Sequence, residues 1–199
     1  PQRQISAARE DDLVEFGDSV KGVGYKSVAQ AEGQFELMLN VIRERDEPVS
    51  ILDLGCGLAH LLDHILAHPR HRLVSYTGLD ISSSYIEAAR RRHPDAEFLV
   101  MDVLESDDGL GEYDYVIMNG LFNFRGEVSQ QDMVDYWQRL ISVAAAHRRR
   151  DAAFNVMTKI VDWERDDLFH LPFDQMAGYV SANLSRHFLI RHDYPAYEY

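Results

Sequence analysis

The sequence predicts one α/β domain in which a mostly parallel sheet lies between two layers of helices. Three observations lead to this prediction. The chain has 199 residues, which suits a single domain with a sizeable core. Segments with strand character alternate with segments of helical periodicity, as is typical of parallel sheets. The strand segments are apolar throughout, as in strands that are covered on both faces.

Eleven elements are expected, and each depends on a local signal. The helices show apolar residues at helical spacing, such as Phe35, Leu39 and Ile42 in the first, and the strands are short apolar runs. In order, the elements are a helix over 27–45, a strand over 49–54, a helix over 59–68, a strand over 72–80, a helix over 82–93, strands over 96–102 and 113–120, a helix over 129–147, a strand over 151–161, a helix over 173–185 and a strand over 187–194. Residues 1–47 are expected to form a cap segment and a helix, and residues 48–199 the core of the domain.

Two helix starts carry capping signals. Ser84 and Glu87 have the spacing of a capping box, and Pro94 is expected to close the same helix. Ser129 is expected to cap the next helix together with Asp132. That helix turns four apolar residues inward: Met133, Trp137, Leu140 and Ala144.

Composition limits the class of protein. The formal net charge is −13, so the chain should repel phosphate backbones, and no nucleic-acid partner is expected. The basic clusters at 90–93 and 147–150 are interpreted as helix-end cations. A single cysteine, the lack of a long apolar run and an N-terminal stretch without an apolar core together predict a cytoplasmic protein with no membrane partner.

A glycine-rich turn follows the first strand. Asp53 ends the apolar run, and Gly55 and Gly57 precede a helix whose free N–H groups suit an anionic or polar ligand group. A tight strand-to-helix turn would explain the glycines equally well. His60 stands where a dinucleotide-binding motif would need its third glycine, which disfavours a nicotinamide oxidoreductase.

Four motifs in register resemble those of class I S-adenosylmethionine-dependent methyltransferases. They are "ILDLGCGLAH" (51–60), "YTGLDIS" (76–82), "EFLVMDVLE" (97–105) and "YDYVIMNGLF" (113–122). One departure is Ala59, where the family most regularly has a third glycine. The resemblance implies a Rossmann-like, seven-stranded sheet with an antiparallel C-terminal strand, which is expected to be short or truncated here. It also implies S-adenosylmethionine as cofactor, with S-adenosylhomocysteine as product and no metal.

The resemblance also assigns the cofactor contacts. Asp80 would accept hydrogen bonds from the ribose hydroxyls, and Asp102 would face the adenine. The alternatives are that Asp80 only caps the helix that begins near Ser82 and that Asp102 is a loop or cap aspartate. The remaining expected contacts are Ile81 and Val103 around the adenine ring, Asp53, Gly55, Cys56 and Gly57 at the glycine loop, Asn119 and Gly120 at the methionine end, and Tyr25 as a cover over the methionine carboxylate or the substrate.

The acceptor is expected to be a small molecule or a saccharide. Gly120 and Leu121 stand where amide and amino N-methyltransferases have two prolines, so that class is disfavoured. His170, in the segment 161–174, is the candidate catalytic base by residue type, against the alternative of an exposed histidine with no role. The histidines at 60, 64, 68 and 71 lack a ligand pattern, and no metal site is expected. A catalytically silent binding subunit with the same fold is the alternative function, and the sequence does not predict an oligomeric state.

Overall fold

The computed structural model describes residues 1–43, 47–68 and 72–199. Within them the strands are β1 (Pro48–Leu54), β2 (Arg72–Asp80), β3 (Glu97–Val100), β4 (Tyr113–Phe122), β5 (Arg148–Thr158) and β6 (His170–Leu171). The helices are α1 (Gln2–Phe16), α2 (Val28–Leu39), α3 (His60–Ala67), α4 (Ser83–Arg92), α5 (Gln130–His147) and α6 (Phe173–Asn183), with a short 3₁₀ helix at Val20–Val23.

The six strands form one sheet in the order β3-β2-β1-β4-β5-β6, and every neighbouring pair is parallel. The chain moves outward from β1 to β3 and then returns to the other side of β1 to form β4. This reversal opens a crevice between the carboxyl ends of β1 and β4, which is where open α/β sheets bind ligands. The predicted α/β class is confirmed.

Two apolar layers cover the sheet. Successive side chains of a strand point to opposite faces, so Ile51 and Leu52 of β1 belong to different clusters. Leu52 packs with the α5 residues Trp137 and Leu140 on one face. Ile51 packs with Phe35 of α2 and with residues of α3 and α4 on the other face. The core is therefore divided by the sheet, as the apolar strands predict.

Serine side chains begin three of the helices. Ser27 accepts a hydrogen bond from the Gln30 N–H, and Ser129 accepts one from the Asp132 N–H, so the predicted cap at Ser129 is confirmed. The predicted capping box at Ser84 is wrong, because the helix starts earlier. Ser82 has extended backbone and accepts from the Tyr85 N–H instead.

The expected strand over 187–194 is wrong. These residues have no regular secondary structure, and Leu189 is largely exposed, so an apolar run here does not mean a buried strand. The sixth strand is instead β6, inside the segment expected to be irregular. The last residues of the chain make a short antiparallel contact with β5. Val156 and Tyr199 exchange backbone hydrogen bonds, the Thr158 N–H donates to the Tyr197 carbonyl, and Met157 forms an isolated bridge with Glu198. Within the described residues the sheet thus has six strands, with this short antiparallel contact in place of the expected seventh strand.

The two ends of the N-terminal segment also differ from expectation. The helix α1 was not expected, since none of its residues is buried and it has no apolar stripe. The helix α2 ends at Leu39, whereas the pattern predicted a helix to Arg45, and residues 44–46 lie outside the described residues. No described helix is both long enough and apolar enough to cross a membrane.

Candidate functional site

A cavity of about 730 Å³ opens at the carboxyl ends of β1 and β4. Its walls come from the glycine loop after β1, the end of β4, the helices α1 and α2, and the last residues of the chain. Its volume lies within the range of small-molecule sites. Most residues predicted for cofactor binding line it: Tyr25, Asp53, Gly55, Cys56, Gly57, Asp80, Ile81, Asn119 and Gly120.

The glycine loop is held in shape by backbone contacts. The N–H groups of Gly55 and Cys56 both donate to the Leu79 carbonyl, at 2.7 and 3.0 Å. Gly55 and Gly57 have φ of 80° and 51°, which explains why glycine is required there. Ala59 also has a positive φ, 60°, so the place of the family's third glycine demands the same left-handed conformation, and alanine adopts it at a cost of about 1–2 kcal/mol.

Asp53 is a buried carboxylate, 3% exposed, at the base of this loop. The Tyr76 hydroxyl donates to it at 2.6 Å. Burial raises the pKa of Asp53 to about 7, the hydrogen bond from Tyr76 opposes that shift, and the charge of Asp80 adds to it. A cationic group in the cavity would favour the ionised form.

Asp80 at the end of β2 joins the glycine loop to α4. Its carboxylate accepts N–H bonds from Gly57 at 3.0 Å and from Ser82 at 2.9 Å. Burial raises its pKa, and the backbone hydrogen bonds act in the opposite direction. A carboxylate offers about four acceptor positions. The side chain therefore serves the helix start, as the capping alternative has it, and keeps acceptor capacity for a ligand.

Asp102 and Val103 are the two predicted contacts that do not line the cavity. The Gln2 side-chain amide donates to both carboxylate oxygens of Asp102, at 3.0 and 3.3 Å, and Leu104 N–H donates at 3.1 Å. Val103 is buried in the apolar cluster on the α5 face. Gln2, in the first turn of α1, lines the cavity and occupies the Asp102 carboxylate.

The helix α1 covers the cavity through polar contacts. Arg9 contributes its carbonyl, which accepts from the Tyr85 hydroxyl at 2.7 Å, and its guanidinium, which lies 4.5 Å from the centre of the Phe124 ring. Glu10 accepts a hydrogen bond from the Ser82 hydroxyl. These residues were not predicted from the sequence, because α1 has no periodic apolar pattern that would reveal them.

Tyr25 and Asn119 meet at the centre of the site. The Asn119 side-chain amide donates to the Tyr25 hydroxyl at 2.8 Å. Burial raises the pKa of Tyr25, and the charges of Asp53 and Glu198 raise it further, so the phenol stays protonated. The Gly120 N–H donates to the Asn155 side-chain oxygen at 2.7 Å.

His60, which the sequence marks as an obstacle to dinucleotides and as one of four histidines without a metal-ligand pattern, is a residue of the site. It begins α3 and lines the cavity. Its Nδ1 lies 3.2 Å from the Asp63 carboxylate, and its Nε2 is buried without a partner among the described residues. Burial opposes ionisation of Asp63, but the bond to His60 and the charges of Arg92 and His93 outweigh it and lower the pKa of Asp63. The ring is thus oriented from behind and leaves one nitrogen for a ligand.

His170 does not lie where a catalytic base would act. It is 3% exposed in β6 and does not line the cavity. Its Nδ1 lies 2.6 Å from the Thr158 carbonyl oxygen, and its Nε2 accepts from the Arg165 N–H at 3.3 Å. Because both ring nitrogens are bound to backbone groups, the expected catalytic role is corrected to a structural one.

The histidines of α3 do not form a metal centre within the residues described. His64 lies 3.0 Å from the Glu36 carboxylate, and the ring nitrogen of His68 lies 3.2 Å from the His64 carbonyl oxygen. No group of three or more potential ligands is found in this part of the chain. His71 lies outside the described residues.

Comparison with known proteins gives a consistent result. Residues 52–146 match a family model described as a methyltransferase domain. A protein of Mycobacterium tuberculosis (strain ATCC 25618 / H37Rv), named "Putative methyltransferase Rv1506c", is 30% identical over 158 residues, which are 77% of this chain and 91% of that protein.

Solved structures share the fold. Magnesium protoporphyrin IX methyltransferase (ChlM) from Synechocystis PCC 6803 was crystallised with SAM and with SAH. The SAH complex has a TM-score of 0.63 at 14% identity, over 90% of this chain and 88% of that one. The SAM complex has a TM-score of 0.62 at 15% identity, over 89% of this chain and 84% of that one. By contrast, the chain spans only 22% of the length of PKMT2 from Rickettsia typhi, with a TM-score of 0.44 and 20% identity.

The family model, the mycobacterial relative and the glycine loop at the sheet's switch point all agree. The chain belongs to the class I S-adenosylmethionine-dependent methyltransferases.

Proposed function

We propose that the chain binds S-adenosylmethionine in this cavity and transfers its methyl group to a small-molecule or saccharide acceptor. The observation that carries the proposal is the convergence of the glycine loop, the Asp80 carboxylate and the unpartnered Nε2 of His60 on one cavity. The cofactor would supply an electrophilic methyl group when bound.

The methionine end fits the region around His60. The free N–H groups at the start of α3 offer hydrogen-bond donors for a carboxylate. Because the Nδ1–H of His60 points to Asp63, its unpartnered Nε2 offers an acceptor for the ammonium group. Asp53 lines the same cavity, and burial together with the charge of Asp80 raises its pKa. The ammonium and sulfonium charges of the cofactor would favour its ionised form. Tyr25, Asn119 and Gly120 close this part of the cavity.

The adenosine end fits the region around Asp80. Its carboxylate keeps acceptor positions for ribose hydroxyls, and Ile81 offers an apolar surface beside it. Asp102 and Val103 remain the proposed adenine contacts, and the Gln2 side chain, which donates to both oxygens of Asp102, occupies the carboxylate that the adenine would use. Cofactor binding is therefore proposed to displace the first turn of α1.

Methyl transfer is an in-line displacement, so the protein's main tasks are to orient the acceptor and to exclude water. The cover formed by α1 and by the C-terminal residues serves both tasks. The proposed reaction uses neither His170 nor a metal. Both ring nitrogens of that histidine are already bound to the backbone.

Calorimetric titration with S-adenosylmethionine and S-adenosylhomocysteine tests the proposal. The intact chain should bind both, and Asp80→Asn should weaken binding at least about tenfold because charge-assisted bonds to the ribose are lost. Asp114→Asn is the matched control. Asp114 also accepts a backbone N–H, from Ser50 at 2.8 Å, but it lies at the amino end of β4, away from the cavity. Equal weakening by both variants, or no binding by the intact chain, would contradict the proposal.

A further inference from the structure

At the end of the cavity farthest from β2, three side-chain amides donate hydrogen bonds to one buried carboxylate, that of Glu198. The Gln34 amide donates to both oxygens of Glu198, at 2.9 and 3.0 Å. Asn123 donates to the same carboxylate at 3.1 Å and Asn155 at 2.6 Å. Glu198 and Gln34 are each only 5% exposed. We call these four residues the amide cluster.

The carboxylate fixes how the amides are turned. An ionised carboxylate only accepts hydrogen bonds, so each amide must present its NH₂ group to Glu198 and turn its oxygen away. The Asn155 oxygen accepts the Gly120 N–H. The side-chain oxygens of Gln34 and Asn123 are buried and have no partner among the residues the structure describes. Both residues line the cavity.

The position of the amide cluster separates it from the cofactor contacts. Asn155 lies on β5, Asn123 directly follows β4, and Glu198 pairs with Met157 of β5. Asp80 lies at the end of β2, on the other side of β1 in the sheet order. The cavity extends from one to the other. A ligand group at the amide cluster is therefore a different group from the ribose at Asp80.

The amide cluster offers a ligand hydrogen-bond acceptors, since its amide NH₂ groups already donate to Glu198. It offers unpartnered acceptors beside a carboxylate whose own positions are filled by four amide hydrogen bonds. A carboxylate or phosphate on the ligand would bring no donor and would meet the charge of Glu198. The cations of the lining do not offset this, because Arg9 pairs with Asp12, Arg165 pairs with Asp167 and Lys26 is exposed at the cavity mouth.

We propose that the amide cluster is the methyl-acceptor subsite and that it selects a non-anionic acceptor, one that donates a hydrogen bond from a hydroxyl or amino group to Gln34 and Asn123. This inference rests on the proposed methyl transfer, since it assigns the acceptor end of the same cavity. Glu198 acts as a positioning residue, because it orients the amides and keeps its own lone pairs occupied.

The test measures binding of two matched series to the full chain saturated with S-adenosylhomocysteine. One series is methyl glucoside, its 2-amino analogue and methyl glucuronide, and the other is benzyl alcohol, benzylamine and benzoate. In at least one series, the alcohol or the amine should bind at least about tenfold more tightly than the carboxylate, because only the former supplies a donor. Whichever of the two binds identifies the donor as hydroxyl or amine. Tighter or equal binding of the carboxylates, or no binding by any of the six, would overturn the inference.

Two variants locate the effect. Gln34→Leu removes one of the two unpartnered oxygens, together with the amide that donates to Glu198, and should reduce the preference at least about threefold. The affinity for S-adenosylhomocysteine should change by less than about twofold. Gln131→Leu makes the same change on the exposed surface of α5 and should leave both quantities unaltered. If Gln34→Leu weakens S-adenosylhomocysteine as much as the acceptors, the cluster belongs to the cofactor site and the inference fails while the proposed function stands. If the intact chain does not bind S-adenosylhomocysteine, it is the proposed function that fails.

Discussion

Cofactor affinity should depend on pH through Asp53. Burial raises the pKa of this carboxyl to about 7, so near neutral pH it is only partly ionised in the free protein. The proposed cofactor is cationic at its methionine end and should bind the ionised form. The fraction of protein with Asp53 ionised is about 0.9 at pH 8 and about 0.1 at pH 6. The apparent Kd should therefore rise about tenfold as the pH falls from 8 to 6.

The same shift has a consequence for folding. The folded-state pKa lies above the unfolded value of about 4, so between pH 4 and 7 the folded protein binds more protons than the unfolded chain. The contribution of Asp53 to the free energy of unfolding therefore falls as pH rises through this window. A shift of about three units corresponds to about 4 kcal/mol. Asp53→Asn keeps an acceptor for the Tyr76 hydroxyl and should raise stability at pH 8 by up to that amount.

The assay is calorimetric titration with S-adenosylmethionine at pH 6, 7 and 8, for the intact chain and for Asp53→Asn. Ionisation of the cofactor itself is common to both proteins and cancels in the comparison. The intact chain should show the tenfold change beyond that of the variant. Urea unfolding of both proteins at pH 5 and pH 8 measures the stability term. The reasoning would be refuted if the two proteins showed the same pH dependence of Kd, or if the variant were no more stable at pH 8.

Three further substitutions have expected outcomes. Gln2→Ala should tighten S-adenosylhomocysteine binding by about threefold to tenfold, because the ligand no longer has to displace the amide from Asp102. Arg3→Ala, on the same turn, should leave this affinity unchanged. Calorimetric titration measures the affinity of both variants. Trp137→Ala should lower the free energy of unfolding by about 3–5 kcal/mol in urea denaturation, since the fully buried ring packs against Phe154, and near-neutral behaviour would contradict the described core. His170→Ala should cost about 1–3 kcal/mol of stability without changing the pH profile of methyl transfer. Loss of the acidic limb of that profile, on which a general base becomes protonated, would restore the catalytic role.

The part of the site that the sequence predicts well is local. Asp53, Gly55 and Gly57 form a contiguous motif at a strand end, and Asp80 ends the next strand. Their placement follows from the rule that parallel strands bring their carboxyl ends to one edge. The positive φ angles at positions 55 and 57 can also be predicted from the sequence, because this backbone conformation favours glycine.

The part that the sequence does not predict depends on contacts between distant segments. The helix α1 buries none of its residues and contacts Asp102 and Ser82 through polar side chains. Its sequence therefore lacks the apolar periodicity from which a helix is predicted. Glu198 and Gln34 are 164 positions apart and meet only in the folded chain. A lone acidic residue near the end of a sequence carries no sign that three amides will surround it.

The strand β6 was not predicted for a second reason. A strand of two residues is too short to show a periodic pattern of apolar residues. The longer apolar run at 187–194 was therefore predicted to be the sixth strand. His170 was selected by residue type alone, and its position in β6 places both ring nitrogens on backbone groups. Residue type identifies chemistry that a side chain is capable of, whereas position in the sheet decides whether the side chain reaches a substrate.

A crystal structure of the full chain with S-adenosylhomocysteine tests the central claim most directly. The account predicts the ribose hydroxyls within hydrogen-bond distance of Asp80 and the methionine carboxylate beside His60 and the start of α3. It also predicts the adenine beside Asp102, with Gln2 displaced from that carboxylate. A ligand that lies outside this cavity, or one that leaves Asp80 and His60 without contact, would contradict the account.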